Sequence, residues 1–369
     1  MTNRQFYLFI FLYVIALFYL AIELPIGPNE AKVFYTDTKL LHYATHLFGG
    51  YFNNGLDFRL PFLLFGLLNI YLFFLMSKIY FKRDDDSYLA TTIFALLPGI
   101  ITASVIVNIA VFVITLVLVF IILHNKKQIV GEGVVMLLLL FVHDASIIFF
   151  ISLSLYFAFK RDSKLFAISI IFTAISLLYF NGLDIGGKPK GKFLELLGLY
   201  VALFSPLVFI YFFYALYRIW LREKKDILWY ISFTAFILSV LLSLRQRVIM
   251  TDFAPYVIVA VVLMLVIYHK TLLVRLPQFQ KGYRLGYKIV MGSLLFSSLI
   301  IVFHKPLFFL LKDKTEHFAY PFYKPYWMKL KLSQIGQNCY TAKREKMQYQ
   351  LKYYGIDECK DIDVPKIHN

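Results

Sequence analysis

The sequence is short of charge. Asp, Glu, Lys and Arg together make 16% of its 369 residues, where a soluble domain has about a quarter. That shortage excludes a disordered chain and an ordinary soluble enzyme. There are only two cysteines, Cys339 and Cys359, too few for a secreted disulfide scaffold. Acidic residues are scarcer than basic ones, 22 against 38, for a net charge of +16. No nucleic-acid-binding motif accompanies that excess, so nucleic acid is not an expected partner. What fills the chain is apolar: 60% hydrophobic residues, with 39 Phe and 27 Tyr, and a mean hydropathy of +0.69. Repeated apolar runs of span length define an all-α polytopic membrane protein. The basic excess then suits lipid headgroups.

Phe6 to Ala21 reads as a first helix retained in the protein, since no small-residue cleavage site follows it. Further spans are expected at Leu60 to Ile79, Leu165 to Phe180, Leu194 to Tyr217, Ile227 to Leu244, Phe253 to Tyr268 and Gly286 to Phe303. Two apolar stretches are too long or too interrupted for one helix each. Tyr88 to Leu123 carries Pro98 and Gly99, and is expected to fold as two helices with a turn near residues 103–107. Gly133 to Phe159 is expected to turn at His143–Asp144. The sum is about eleven spans. Lys and Arg concentrate in alternate connections, which predicts a cytoplasmic N-terminus and a C-terminus on the opposite face. Residues 1–311 form the expected membrane domain, with 23–59 as a long first non-cytoplasmic loop. Residues 312–369 form a short outer tail. Both cysteines lie in that tail, and a disulfide between them is expected there.

On this topology the polar features gather at the non-cytoplasmic helix ends. They are Glu30 and Asp37, His42 and His46, Arg59, His143–Asp144, the Gly/Lys-rich loop with Lys188 and Lys192, and Arg245 with Arg247. Taken singly, each is also what an ordinary helix end carries. His42 and His46 are four apart, but no Glu lies between them as in HExxH, so packing is preferred to zinc. No metal or other cofactor is expected.

Asn29-Glu30-Ala31 with Tyr35 resembles the first-loop signature of the GT-C superfamily of membrane glycosyltransferases. The narrower resemblance is to the branch holding protein O-mannosyltransferases and the aminoarabinose transferases of lipid A. Arg59-Leu60-Pro61 resembles that family's opening to its second helix. Leu97-Pro98 before a turn, and Arg247 with Pro255, resemble two later motifs. The resemblance runs over roughly residues 5 to 270 and is strongest over 28 to 125. Two departures stand out: Asn29 replaces the family's first acidic residue, and Asn108 sits where a second is common.

The resemblance implies transfer of a sugar from a polyprenyl-phosphate donor to a lipid, glycan or protein acceptor at the non-cytoplasmic face of a bacterial inner membrane. Such chemistry needs a carboxylate to take the acceptor's proton and cations to hold the departing phosphate. Glu30, Asp37 and Asp144 are the candidate bases. Arg245, Arg247, Arg59, Lys188 and Lys192 are the candidate phosphate ligands. A transporter or flippase for an anionic or lipid-linked substrate is the alternative, and a non-catalytic membrane scaffold is the third reading. No internal repeat supports the transporter.

Overall fold

The computed structural model describes residues 1–37, 39–49, 51, 54–180 and 191–359. Helices make up the described chain, with one isolated β-bridge between Cys339 and Asp357. The chain divides into two compact units. One gathers Met1–Leu12, Phe65–Ala103 and Ile109–Ser298. The other gathers Tyr13–Leu64, Ser104–Asn108 and Leu299–Asn369.

Among the described residues, five helices are long and apolar enough to cross a membrane: Asn3–Glu23, Leu56–Tyr80, Ser163–Phe180, Met250–Val274 and Pro277–Val302. Two further pairs bring the number to seven if each bent pair is one span. This is a multi-pass membrane protein, but the sequence count of eleven is higher. The excess comes from shorter apolar helices such as Ala110–Asn125 and Ile129–Val142. Sixteen residues reach only about 24 Å along a helix axis, short of a ~30 Å hydrocarbon core.

Prolines set the breaks. Leu97 is extended (φ −61°, ψ 128°), as a residue before proline prefers, and Asp84–Leu96 bends by 64° into Pro98–Val105. Gly99 fits that bend because a Cβ there would lie 2.9 Å from the methyls of both Ile258 and Leu203. The expected turn before Leu123 falls between Val105 and Ala110, and the second expected turn is the 3-10 segment Asp144–Ser146. Leu194 to Tyr217, expected as one span, is instead broken. Phe193–Phe204 and Pro206–Arg222 meet at 104°. Pro206 has no N–H to continue the first helix, and Ser205 before it adopts φ 75°, ψ 152°.

The larger core lies in the first unit and is dense in aromatics: Phe73 stacks on Phe94 at 3.9 Å, and Phe120 meets Phe149 edge-on at 5.0 Å. In lipid such burial removes no water. Its stabilisation comes from close packing and from internal hydrogen bonds. Asn69 supplies one set, donating to the Val111 carbonyl at 2.9 Å while accepting from Thr115 at 2.7 Å.

In the second unit, loop one folds into two short helices, Pro28–Thr36 and Leu40–His46. The tail folds as Tyr320–Gln334 and Glu345–Tyr353 around Leu332, Leu351 and Ile356. Cys339 and Cys359 are joined by a disulfide, beside the bridge to Asp357.

Candidate functional site

Pro28 starts its helix with a ring already shaped for the first turn. Glu30 is two residues on, so its carboxylate folds back and accepts from the Gly27 N–H at 2.7 Å. Gly27 is needed there: a Cβ would come within 2.6 Å of the Phe322 ring. The carboxylate is 1% exposed and faces Arg59, which is fully buried. Arg59 donates from Nε to Glu30 Oε1 at 3.1 Å and from Nη2 to Oε2 at 2.6 Å, a bidentate pair. Its remaining N–H groups reach the carbonyls of Ala21 (3.0 Å), Leu24 (2.5 Å) and Pro25 (2.9 Å). Glu30 Oε1 also accepts from the Val107 N–H at 3.0 Å.

Both residues were expected to meet substrate, and in the structure they pair with each other. A guanidinium has five N–H groups and a carboxylate about four acceptor sites. Arg59 has placed all of its donors within the protein, and Glu30 accepts four hydrogen bonds. In this arrangement each holds the other and nearby main-chain groups. They form a buried joint that ties the end of Asn3–Glu23, the loop-one helix, the start of Leu56–Tyr80 and the 104–108 turn.

Asp37 caps the end of Pro28–Thr36, and its Oδ1 accepts from the Lys39 N–H at 3.1 Å. His42 and His46 lie 4.3 Å apart, centroid to centroid, and His46 stacks on Phe34. Their Nδ1 atoms approach main-chain carbonyls, of Val33 and His42 respectively. No group of three or more metal-binding side chains occurs among the described residues. Asn108 turns back onto the Ile106 carbonyl at 2.7 Å.

The tail grips the loop-one helix. Gln350 Nε2 donates to the Ile26 and Pro321 carbonyls at 2.6 and 3.1 Å. The Ile26 N–H donates to the Tyr354 hydroxyl at 3.2 Å. Lys346 donates to Asn29 Oδ1 at 2.7 Å, Tyr349 stacks on Tyr35, and Tyr353 packs edge-on to Phe34 and Phe58. Sequence reasoning missed these tail residues. The amphipathic spacing of residues 345–353 was the available signal, but it names no partner.

The other candidates lie in the first unit. Arg247 Nε pairs with Glu195 Oε1 at 2.6 Å, and Lys192 reaches Glu195 Oε2 at 3.4 Å. Glu195 was missed, although its place three residues after Lys192 on a helix is a pairing signal. Arg247 remains 74% exposed and Lys192 43%, so both cations stay open to an anion. Arg245 is exposed beside them in sequence. Lys188 lies outside the described residues.

Asp144 is exposed on its 3-10 turn and interacts electrostatically with Asp252, in the first turn of Met250–Ile258. Three buried polar atoms nearby lack partners among the described residues: His143 Nε2, Ser146 Oγ and Tyr256 Oη. The rings of His143 and Tyr256 are 6.4 Å apart. Buried groups left unpaired in a native fold mark a place that takes a polar ligand or water. Tyr256 was absorbed into the apolar run from Phe253, and Asp252 lay just before it in a short connection.

No family model matches the sequence, and no curated protein matches it at a significant level. A solved structure does. The chain shares its fold with ArnT from Cupriavidus metallidurans. The crystal structure of that protein in the apo state aligns at a TM-score of 0.55 over 94% of this chain and 84% of its own. The two sequences are 12% identical, so the likeness is one of fold. That fold is all-α.

Proposed function

We propose that this protein is a membrane glycosyltransferase that moves a sugar from a polyprenyl-phosphate donor to a lipid, glycan or protein acceptor. The observation that carries the reading is the Glu30–Arg59 joint with Val107. Three stretches singled out in the sequence, Asn29-Glu30-Ala31, Arg59-Leu60-Pro61 and the turn after Leu97-Pro98, meet in one set of buried hydrogen bonds. Separate motifs that converge on one joint behave as one device. The shared fold adds support, since ArnT is a GT-C glycosyltransferase. The narrower likeness to the O-mannosyltransferase and aminoarabinose-transferase branch belongs to this proposal. So do the eleven-span topology, the bacterial inner membrane and the N-terminus-inside orientation.

In the proposed reaction an acceptor hydroxyl attacks the anomeric carbon, and the bond from that carbon to the donor phosphate breaks. The hydroxyl proton passes to a carboxylate, and polyprenyl phosphate leaves. Glu30 and Arg59 hold loop one in place. Asp37, Asp144 and its neighbour Asp252 are the carboxylates with exposure for the proton. Arg245, Arg247, Lys192 and Lys188 are the cations for the phosphate. Pairing with Glu195 presets the Arg247 fork without covering it.

The test compares glycolipids and glycoproteins of a deletion strain by mass spectrometry, with complementation by wild type, Asp144→Asn and Arg247→Ala. A missing glycan in the deletion, restored by wild type only, is expected. An unchanged glycan profile in the deletion rejects the transferase and leaves the transporter reading.

A further inference from the structure

A cavity of about 620 Å³ lies within the first unit, far from loop one in sequence and inside the size range of ligand pockets. Six helix ends frame it. Leu56–Tyr80, Ala110–Asn125 and Ile147–Lys160 finish there, and Ile129–Val142, Ser163–Phe180 and Ile227–Ser243 begin there. The connections at these ends carry basic pairs: Lys82 and Arg83, Lys126 and Lys127, and Lys160 and Arg161. That composition belongs at the level of phospholipid headgroups.

The lining is mixed in a specific way. Ile79, Ile121 and Ile129 give it apolar wall. Glu132 is 3% exposed, and its Oε2 pairs with His124 Nδ1 at 3.1 Å. Its other oxygen makes no hydrogen bond among the described residues. Asp226 is held rigidly, accepting from the Trp229 N–H at 3.0 Å and from the Tyr80 hydroxyl at 2.5 Å. Lys127 and Lys160 are exposed at the margin. An entering group therefore meets carboxylates on the wall and ammonium groups at the margin.

We propose that this cavity seats the phosphoethanolamine headgroup of a membrane phospholipid. The primary ammonium donates to Glu132, the phosphate lies against Lys127 and Lys160, and the first acyl methylenes follow the isoleucine wall. Choline fits less well because a quaternary nitrogen has no N–H for the carboxylate. A glycerol headgroup has no ammonium to donate to Glu132 and adds net negative charge beside two wall carboxylates. The site concerns the basic face and does not depend on the transfer reaction.

Native mass spectrometry of the full chain, purified in detergent and offered equimolar phosphatidylethanolamine, phosphatidylcholine and phosphatidylglycerol, tests it. One retained phosphatidylethanolamine is expected, favoured by roughly tenfold, the scale of one charge-assisted hydrogen bond. Glu132→Gln is expected to abolish that preference while leaving the melting temperature within a few degrees. Ile129→Trp, a larger side chain on the cavity wall at a position 61% exposed, is expected to displace the lipid. Equal retention of the three lipids overturns the proposal. So does a preference for ethanolamine that survives Ile129→Trp, or that survives Glu132→Gln in folded protein. Stabilisation by soluble O-phosphoethanolamine with no lipid retained overturns the lipid as the source.

Discussion

Gln350 hydrogen-bonds the carbonyl of Ile26, 324 residues earlier in the chain. The same amide nitrogen also reaches Pro321, so one buried side chain ties the last described helix to the entry of loop one and to the start of the tail. Gln350→Ala leaves both carbonyls unpaired, at about 1–3 kcal/mol each if water cannot follow. The expected outcome is faster amide exchange over residues 27–36, measured by hydrogen-exchange mass spectrometry. Protection equal to wild type there would show that the tail merely rests on the loop.

Removing one partner of the Glu30–Arg59 joint strands the other as a buried charge. Glu30→Gln and Arg59→Met are each expected to lower stability by roughly 3–5 kcal/mol, whereas the double variant Glu30→Met/Arg59→Met loses less than the sum. Thermal unfolding in detergent checks this as a double-mutant cycle. Additive losses would mean that the two side chains do not act together.

Gly27→Ala carries a purely steric expectation. The added methyl meets Phe322 at 2.6 Å and Glu30 at 3.1 Å. One neighbour must move, and the loss is expected at about 1–3 kcal/mol. A melting temperature equal to wild type would show that the Phe322 ring swings away freely.

The tail also has a pH dependence with a definite sign. His304 is bonded through Nδ1 to the Ile301 carbonyl and through Nε2 to the Tyr323 hydroxyl. His317 accepts from the Ala319 N–H at Nδ1 and donates from Nε2 to the His304 carbonyl. The His317 ring is neutral in this arrangement, and burial holds both below the usual histidine value. A proton on His317 Nδ1 would face the Ala319 N–H. The unfolded chain takes up its protons near pH 6.5, above the folded value, so it binds more protons in the window below. Stability is therefore complete above about pH 6.5 and falls as the pH drops beneath it. Exchange of residues 304–334 at pH 7.5 and 5.5, corrected for intrinsic rates, is expected to show the loss, and His317→Gln is expected to shrink it. A flat profile removes the pair as the cause.

Without reductant, Cys339 and Cys359 are expected to resist alkylation, and reduction is expected to weaken the tail by ~3 kcal/mol, the scale for a loop of this length. Gel mobility after alkylation, with and without reductant, reads the first. Proteolysis of the tail reads the second.

Breaks governed by proline were legible where the proline stood in an obviously overlong run, as at Pro98. Pro206 sat inside a run of ordinary span length, so length alone hid its 104° bend. Loop one was legible as the place where motif residues collect, but not the pairing inside it. A Glu and an Arg 29 residues apart can each serve a substrate or each other, and only three-dimensional closure decides. Tyr256 was invisible for another reason. Hydropathy averages over a window, and one polar group among apolar neighbours vanishes in the mean. The tail offered amphipathic spacing but no motif, because its partner helix is remote in sequence.

The contact between Ile26 and Gln350 also sets an order of events in biosynthesis. Loop one leaves the ribosome early, yet the helix that stabilises it follows 324 residues later. Until residues 345–354 emerge, the main-chain groups of Ile26 lack the partners they have in the finished protein. Every span must therefore be inserted before that corner closes, and a nascent chain halted short of the tail cannot complete it. Maturation of loop one is thereby coupled to translation of residues 345–354.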